Sequence, residues 1–121
     1  MFNLDNFGVC TGRITSMKTF VNADNSKTVH FTVATQNNFT AQDGTRGSQF
    51  LPFTDFISAN TKSSIYDLLG KGDKVSVEYA VFNNNYIDND GVQHYDLSFR
   101  VDTIKFAESR AARERRHANA A

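Results

Sequence analysis

The sequence predicts an all-β domain of five strands with a single helix between strands 3 and 4. Apolar and polar residues alternate along most of the chain, which is typical of strands with one buried face. Turn residues separate the alternating stretches, and a helical period is found only between residues 60 and 70. With 121 residues, of which 40% are hydrophobic, the chain is long enough for one domain with its own core.

Glycine positions and alternation predict the first two strands. Residues 7–14 form strand 1, in which Gly8 and Gly12 are candidate bulge or bend positions. Residues 28–34 form strand 2, and its inward-facing residues are Val29, Phe31 and Val33.

Strand 3 is predicted over residues 50–58, after a polar loop with the turn signals Asp43-Gly44 and Arg46-Gly47. Strands 2 and 3 therefore form a long hairpin with a mobile tip. Pro52 is the only proline, and because it lacks an amide donor it favours an edge or a bulge.

The helix is predicted between Asn60 and Gly70. Asn60 or Thr61 can cap its start, and Gly70 can end it in a left-handed conformation. The apolar residues that share one face of this helix are Ile65, Leu68 and Leu69.

Strand 4 is predicted over residues 75–82, after a tight turn at residues 71–74. Asn89-Asp90-Gly91 marks a second long hairpin, and strand 5 follows over residues 95–106. The strand 5 residues expected in the core are Leu97, Phe99, Val101 and Ile104. The domain therefore spans residues 1–106.

The net charge of zero conceals a difference between this domain and the end of the chain. Through Glu108 there are 9 Lys and Arg against 12 Asp and Glu, a balance of −3, and beyond it four Arg against one Glu, a balance of +3. Residues 107–121 are predicted to be a basic tail, helical or disordered. A purely electrostatic polyanion binder is not indicated.

Four aromatic side chains lie where a small β-protein is expected to place polar loop or groove residues, and their neighbours are almost uncharged. They are Phe39, Phe50, Phe56 and Tyr86. A flat ring near water can hold a nucleobase without reading its sequence. The alternative for each ring is ordinary core packing, because large apolar side chains are usually buried.

Metal, cofactor and catalytic sites are not indicated. The Asp88-Asn89-Asp90-Gly91 run resembles part of a calcium loop, but its ligand positions are incomplete. The histidines have no metal-ligand spacing with Cys10, and no nucleophile, base and orienting acid can be assembled. We expect a non-enzyme without cofactor. A single cysteine and the lack of a leader or long apolar run predict a cytoplasmic protein with no membrane contact.

Three strands, one helix and two strands is the order of the oligonucleotide/oligosaccharide-binding (OB) fold, a five-stranded β-barrel. The order and spacing of several segments resemble bacterial and phage single-stranded DNA-binding proteins over roughly residues 6–106. These segments are residues 7–14, 31–35, 50–56 and 71–78, and Asp90-Gly91 with Tyr95. The resemblance implies sequence-independent binding and protection of single-stranded DNA in replication, recombination or repair.

The resemblance also implies that Phe39, Phe50, Phe56 and Tyr86 stack on bases, and that the protein is a homotetramer, with a dimer as the alternative. An open barrel can gather cations around its binding face, although each cation is otherwise a solvated charge. The candidate phosphate contacts are Arg13, Lys18, Lys27, Arg46, Lys62 and Arg100.

The chain departs from the family at its end. Family members usually carry a Gly-rich linker and an acidic tip that recruits replication and repair proteins, whereas this chain ends in the basic run 110–117. Replication or recombination partners are therefore not expected to bind through an acidic tail. Compactness suggests a phage or mobile-element member, which would act in the host cytoplasm. The alternative function is an oligomeric OB-fold adaptor between proteins, with the aromatic rings in the core or an interface.

Overall fold

Five strands form one sheet that closes on itself. The computed structural model describes residues 4–109, 111–112 and 114–115. The strands are β1 (Gly8–Val21), β2 (Lys27–Gln36), β3 (Ser48–Ile57), β4 (Lys74–Ile87) and β5 (Gln93–Phe106). They follow the order β1-β2-β3-β5-β4, and β4 returns to β1 to close a barrel. The predicted five-stranded, all-β architecture is confirmed.

The shortest strand pairing in the barrel is the parallel contact between β3 and β5. β3 and β5 pair only through Phe53 with Phe99 and Thr54 with Arg100, while every other neighbouring pair is antiparallel. Pro52 immediately precedes this contact, in the part of β3 that pairs with β2 alone. Its missing N–H therefore lies next to a local edge, where proline is tolerated.

The inward-facing residues of the strands make the core. Phe31 and Phe53 are almost fully buried, with ring centroids 5.5 Å apart, and Tyr79 and Phe99 pack on Phe53. The buried hydrophobic residues are Cys10, Ile14, Val29, Phe31, Val33, Phe53, Leu69, Val75 and Val77. The alternation of strand 2 is thus confirmed, since all three of its predicted core residues belong to this cluster.

β1 is longer than predicted and its glycines have another role. The strand continues to Val21, and the shift in its register lies between Ile14 and Ser16. Gly8 and Gly12 pair with β4 in regular register, so the prediction of a bulge at these positions is wrong, while the alternative of a bend stays a prediction. A Cβ at Gly12 would collide with the carbonyl oxygen of Ala34, so this glycine allows two backbones to approach closely.

The predicted helix between Asn60 and Gly70 is wrong in its extent. A single 3-10 turn, Ile65–Asp67, occupies the segment, and Ser64 rather than Asn60 or Thr61 precedes it. The Ser64 N–H donates to the Asp67 carboxylate at 3.0 Å. One turn is enough to bring Leu69 into the core while Leu68 remains 67% exposed.

A side chain of the turn anchors this connection to β3, in addition to the backbone bonds from the Leu68 and Leu69 N–H groups to the Ile65 carbonyl. The Tyr66 hydroxyl donates to Asp55 Oδ2 at 2.6 Å, and burial together with this bond raises the Tyr66 pKa well above its ordinary value. The left-handed conformation predicted for Gly70 is found at Gly72, with φ of 95°. The chain therefore reverses two residues later than expected.

The β4–β5 hairpin extends beyond the barrel. Phe99, Val101 and Ile104 pack against the core, but Leu97 is 61% exposed, so its predicted core position is wrong. Leu97 continues the inward-facing row of β5 past the contact between Phe53 and Phe99, where β3 no longer covers it.

The end of the chain is described only in part. Ala111, Ala112, Glu114 and Arg115 are helical. The other tail arginines, Arg110, Arg113 and Arg116, lie outside the described residues. The tail boundary and its predicted character remain predictions. No helical segment within the described ranges is long and apolar enough to cross a membrane.

Candidate nucleic-acid interface

One row of side chains crosses the outside of the barrel. The strand register places Lys18 beside His30, His30 beside Thr54, Thr54 beside Arg100 and Arg100 beside Ala80. The row thus passes through all five strands, and His30 Nδ1 lies 3.1 Å from Thr54 Oγ1. We call the surface around this row the outer face.

β3 places two of the predicted stacking rings on the outer face. Phe50 and Phe56 lie an even number of residues from Thr54, so all three point away from the buried Phe53. Both phenylalanines are 63% exposed. Six residues at ~3.3 Å each separate them by roughly 20 Å, with Thr54 between them. Phe56 lines a cleft of about 470 Å³ together with Arg100 and Asn84.

Phe39 approaches Phe50 from the β2–β3 loop. It is 66% exposed and lines a cleft of about 530 Å³ that Phe50 also lines. Arg46 Nε and Gln49 Nε2 both donate to Asn37, at 2.6 Å to its carbonyl oxygen and its Oδ1. These bonds fix the start of the loop two residues before Phe39.

Tyr86 lies near the tip of the β4–β5 hairpin and is 46% exposed. Its ring stacks on the His94 imidazole, and His94 Nε2 lies 2.7 Å from Asp88 Oδ2. Asp88 also accepts hydrogen bonds from the Asp90 and Val92 N–H groups. The bond to His94, followed by the one to Val92, lowers the Asp88 pKa below its ordinary value. The hairpin tip and the Tyr86 ring are thus held by one carboxylate.

The exposure of the four rings decides one question that the sequence left open. Core packing is the wrong interpretation for Phe39, Phe50, Phe56 and Tyr86, since each is at least 46% exposed. Their assignment as base-stacking residues stays a prediction.

The six candidate cations fall into three groups. Lys18 and Arg100 lie on the outer face, within the row defined above. Arg13 and Arg46 line one cleft with Asn38, near the Phe39 loop, and Arg13 also donates to the Gly72 carbonyl at 3.0 Å. Lys27 begins β2 and Lys62 lies in the connection after β3, away from the row. Phosphate contact stays a prediction for all six.

Sequence reasoning missed two further rings on the outer face. Phe20 and Phe82 are 43% and 42% exposed. Phe20 lies in β1, beyond the predicted end of strand 1, and pairs with Thr28 of β2. Phe82 lies in β4, two residues after Ala80, which pairs with Arg100. The available signal for a longer first strand was the β-branched and aromatic composition of Thr19, Phe20 and Val21, which is typical of strands.

The arrangement offers flat apolar faces, hydrogen-bonding groups and a few cations. Within the described ranges, no group of three or more His, Cys, Asp and Glu side chains could hold a metal ion. Such a surface suits unpaired bases, which stack on aromatic rings whatever their identity.

The comparisons with known proteins agree with this geometry. The model of the single-strand binding protein family matches residues 6–107. No curated protein matches the chain. Among solved structures 161 chains match, and one is a crystal structure of the mitochondrial single-stranded DNA binding protein Rim1 from S. cerevisiae. That match has a TM-score of 0.60 at 18% identity and covers 85% of this chain and 95% of Rim1, which supports the OB fold.

Proposed function

The chain belongs to the single-strand binding protein family, and from that premise we propose that its outer face and two long hairpins bind single-stranded DNA without sequence preference. The bound strand is thereby protected during replication, recombination or repair. Binding of this kind requires no catalysis and no cofactor.

One observation carries the proposal. The four exposed rings are linked by their placement: Phe39 and Phe50 share one cleft, and Phe56 lies on the same face of β3 as Phe50. Phe56 lines a second cleft with Asn84, and Tyr86 follows Asn84 by two residues on the same face of β4. Exposed apolar surface of this kind is typical of a site that binds a partner or ligand.

Stacking explains how a chain of zero net charge binds a polyanion. Each stacked base contributes ~1–3 kcal/mol, and every base has a flat face, so affinity does not depend on sequence. The cations near the route then contact phosphates. Duplex DNA keeps its bases stacked on one another and cannot use the rings in this way.

Assembly multiplies this affinity. We propose a homotetramer built as a dimer of dimers, with a dimer as the alternative. Residues 8–12 of β1 pair with β4, while pairing with β2 begins only at Arg13. Because the Thr11 carbonyl oxygen accepts from the Thr35 hydroxyl and Gly12 lies against the Ala34 backbone, residues 8–10 are the part of this segment that could pair with a second copy across a two-fold axis. Several protomers on one strand bind far more tightly than one.

We place the protein in the cytoplasm, of the host cell if a phage or mobile element encodes it. Replication and recombination proteins are its partners, through a surface other than an acidic tail. The adaptor alternative has no support from the family match.

Competition between single and double strands tests the function. Labelled oligo-dT is titrated with the protein, and the complex is then challenged with unlabelled oligo-dT, mixed-sequence single strand or duplex of equal length. Both single strands should displace the label equally, and duplex should do so far more weakly. Equal competition by duplex would refute the proposal.

A further inference from the structure

Two aromatic rings on the outer face each hold a cation. Arg100 Cζ lies 4.2 Å from the centroid of the Phe82 ring, and Lys18 Nζ lies 5.0 Å from the centroid of the Phe20 ring. Both distances are within the ~6 Å at which a cation is attracted to an aromatic face. The Phe20 ring also meets His30 edge to face, at 5.6 Å.

These two cations lie on opposite sides of Thr54. The row across the barrel runs Lys18, His30, Thr54, Arg100, with neighbouring strands ~4.8 Å apart. Along β3, Thr54 lies between Phe50 and Phe56. A strand stacked on both phenylalanines therefore passes between Lys18 and Arg100.

We propose that Lys18 and Arg100 are paired phosphate contacts beside this route, and that Phe20 and Phe82 are positioning residues for them, not base platforms. This inference rests on the proposed function and assigns two different roles to the exposed rings. Phe39, Phe50, Phe56 and Tyr86 take bases, whereas Phe20 and Phe82 each present a face that a cation covers.

The physical advantage of the arrangement is preorganisation. Lysine and arginine lose much rotamer freedom when a ligand fixes them. A side chain already held on a ring has lost part of that freedom before DNA arrives. An arginine lying flat on a ring also keeps the edge of its guanidinium fork available to phosphate oxygens.

A double-mutant cycle on Arg100 and Phe82 tests the proposal. Oligo-dT affinity is measured against salt concentration for the wild type, Arg100→Gln, Phe82→Leu and the double variant. Arg100→Gln should flatten the slope of log K against log salt by about 0.7, the value for one phosphate contact on a single strand. Phe82→Leu should flatten it partially, and the double variant should match Arg100→Gln. The same cycle on Lys18 and Phe20 should behave alike.

Lys105→Gln is the matched control, because it removes one exposed cation from β5 where that strand pairs with Ser76, away from the row. It should leave the slope unchanged. If Phe82→Leu instead weakens binding at every salt concentration with an unchanged slope, and its loss adds to that of Arg100→Gln, Phe82 is a base platform and the inference is wrong. If the wild type binds no oligo-dT, the proposed function itself fails.

Discussion

The Tyr86 ring lies parallel to the His94 imidazole, with the ring centroids 4.6 Å apart and an angle of 9° between the planes. His94 therefore covers one face of Tyr86, and the proposed base stacks on the other. Asp88 fixes His94 through the 2.7 Å contact with its Nε2. The three side chains form a stack whose position depends on the hairpin turn.

Removing His94 should weaken DNA binding without removing a stacking ring. We expect His94→Ala to reduce oligo-dT affinity by ~0.5–1.5 kcal/mol, the contribution of a well-placed aromatic pair. Tyr86→Ala should cost more, ~1–3 kcal/mol. Fluorescence anisotropy of labelled oligo-dT measures both variants. An unchanged affinity for His94→Ala would show that Tyr86 does not need the imidazole beneath it.

Acid should loosen three turns before it unfolds the barrel. Asp24, Asp43 and Asp88 each accept a hydrogen bond from a backbone N–H within their own turn, at 3.0, 3.0 and 2.9 Å. Side-chain bonds from Ser26, Thr45 and His94 are the largest causes that lower the three pKa values. Because the folded pKa values are depressed, the stability they contribute is present above the unfolded value of about 3.9 and is lost as pH falls through the folded values.

Hydrogen exchange can follow this loosening at single residues. Protection of the Ser26, Thr45 and Val92 amides should fall below about pH 4, while protection of core amides such as Val33 persists. Asp24→Asn keeps an acceptor oxygen that does not titrate in this range. In this variant the protection of the Ser26 amide should therefore no longer depend on pH. Simultaneous loss of protection in the turns and the core would contradict this prediction.

Gly12 should be intolerant of any side chain. We expect Gly12→Ala to destabilise the protein by ~1–3 kcal/mol or more, because the new Cβ would overpack against the Ala34 backbone. Urea denaturation measures the change. Gly70→Ala is the control, since no atom lies within 4 Å of a Cβ there and Gly70 is not among the glycines with positive φ. Equal stability of both variants would mean that β1 and β2 can separate at no cost.

The basic tail should add salt-dependent affinity. If its arginines contact phosphates, deletion of residues 109–121 flattens the salt slope by about 0.7 for each lost contact. The deletion keeps Glu108, whose Oε1 accepts from the Lys74 N–H at 3.2 Å, so the barrel should be unaffected. Binding isotherms that overlay those of the full chain at every salt concentration would exclude the tail from DNA binding.

Alternation was sufficient to predict the number and order of the strands because it reports which face is buried, although β1 and β4 both continue past their predicted ends. It could not predict where the barrel ends: Leu97 obeys the pattern of β5 but lies beyond the cover of β3. Three apolar residues at helical spacing predicted a helix, yet one turn met the need to bury Leu69. Short apolar patterns are ambiguous in this way because tertiary packing outweighs local propensity.

The candidate stacking residues could be predicted from their positions along the chain. The shape of the surface could not, because it depends on how the strands pair. The resemblance and the polar surroundings singled out Phe39, Phe50, Phe56 and Tyr86, and all four are exposed. The contact of Arg100 with Phe82 joins residues from different strands through the diagonal register of β4 and β5. No spacing in the sequence reveals such a pair before the register is known.

The most direct test of the central claim compares two exposed rings that differ in placement. Phe56 lies on the outer face, whereas Tyr95, 78% exposed, pairs with Asn85 and so points away from Tyr86. Titration of oligo-dT with the wild type, Phe56→Ala and Tyr95→Ala, at matched thermal stability, separates position from exposure. We predict a loss of ~1–3 kcal/mol for Phe56→Ala and no loss for Tyr95→Ala. Full affinity in Phe56→Ala, or equal losses in both variants, would contradict the account.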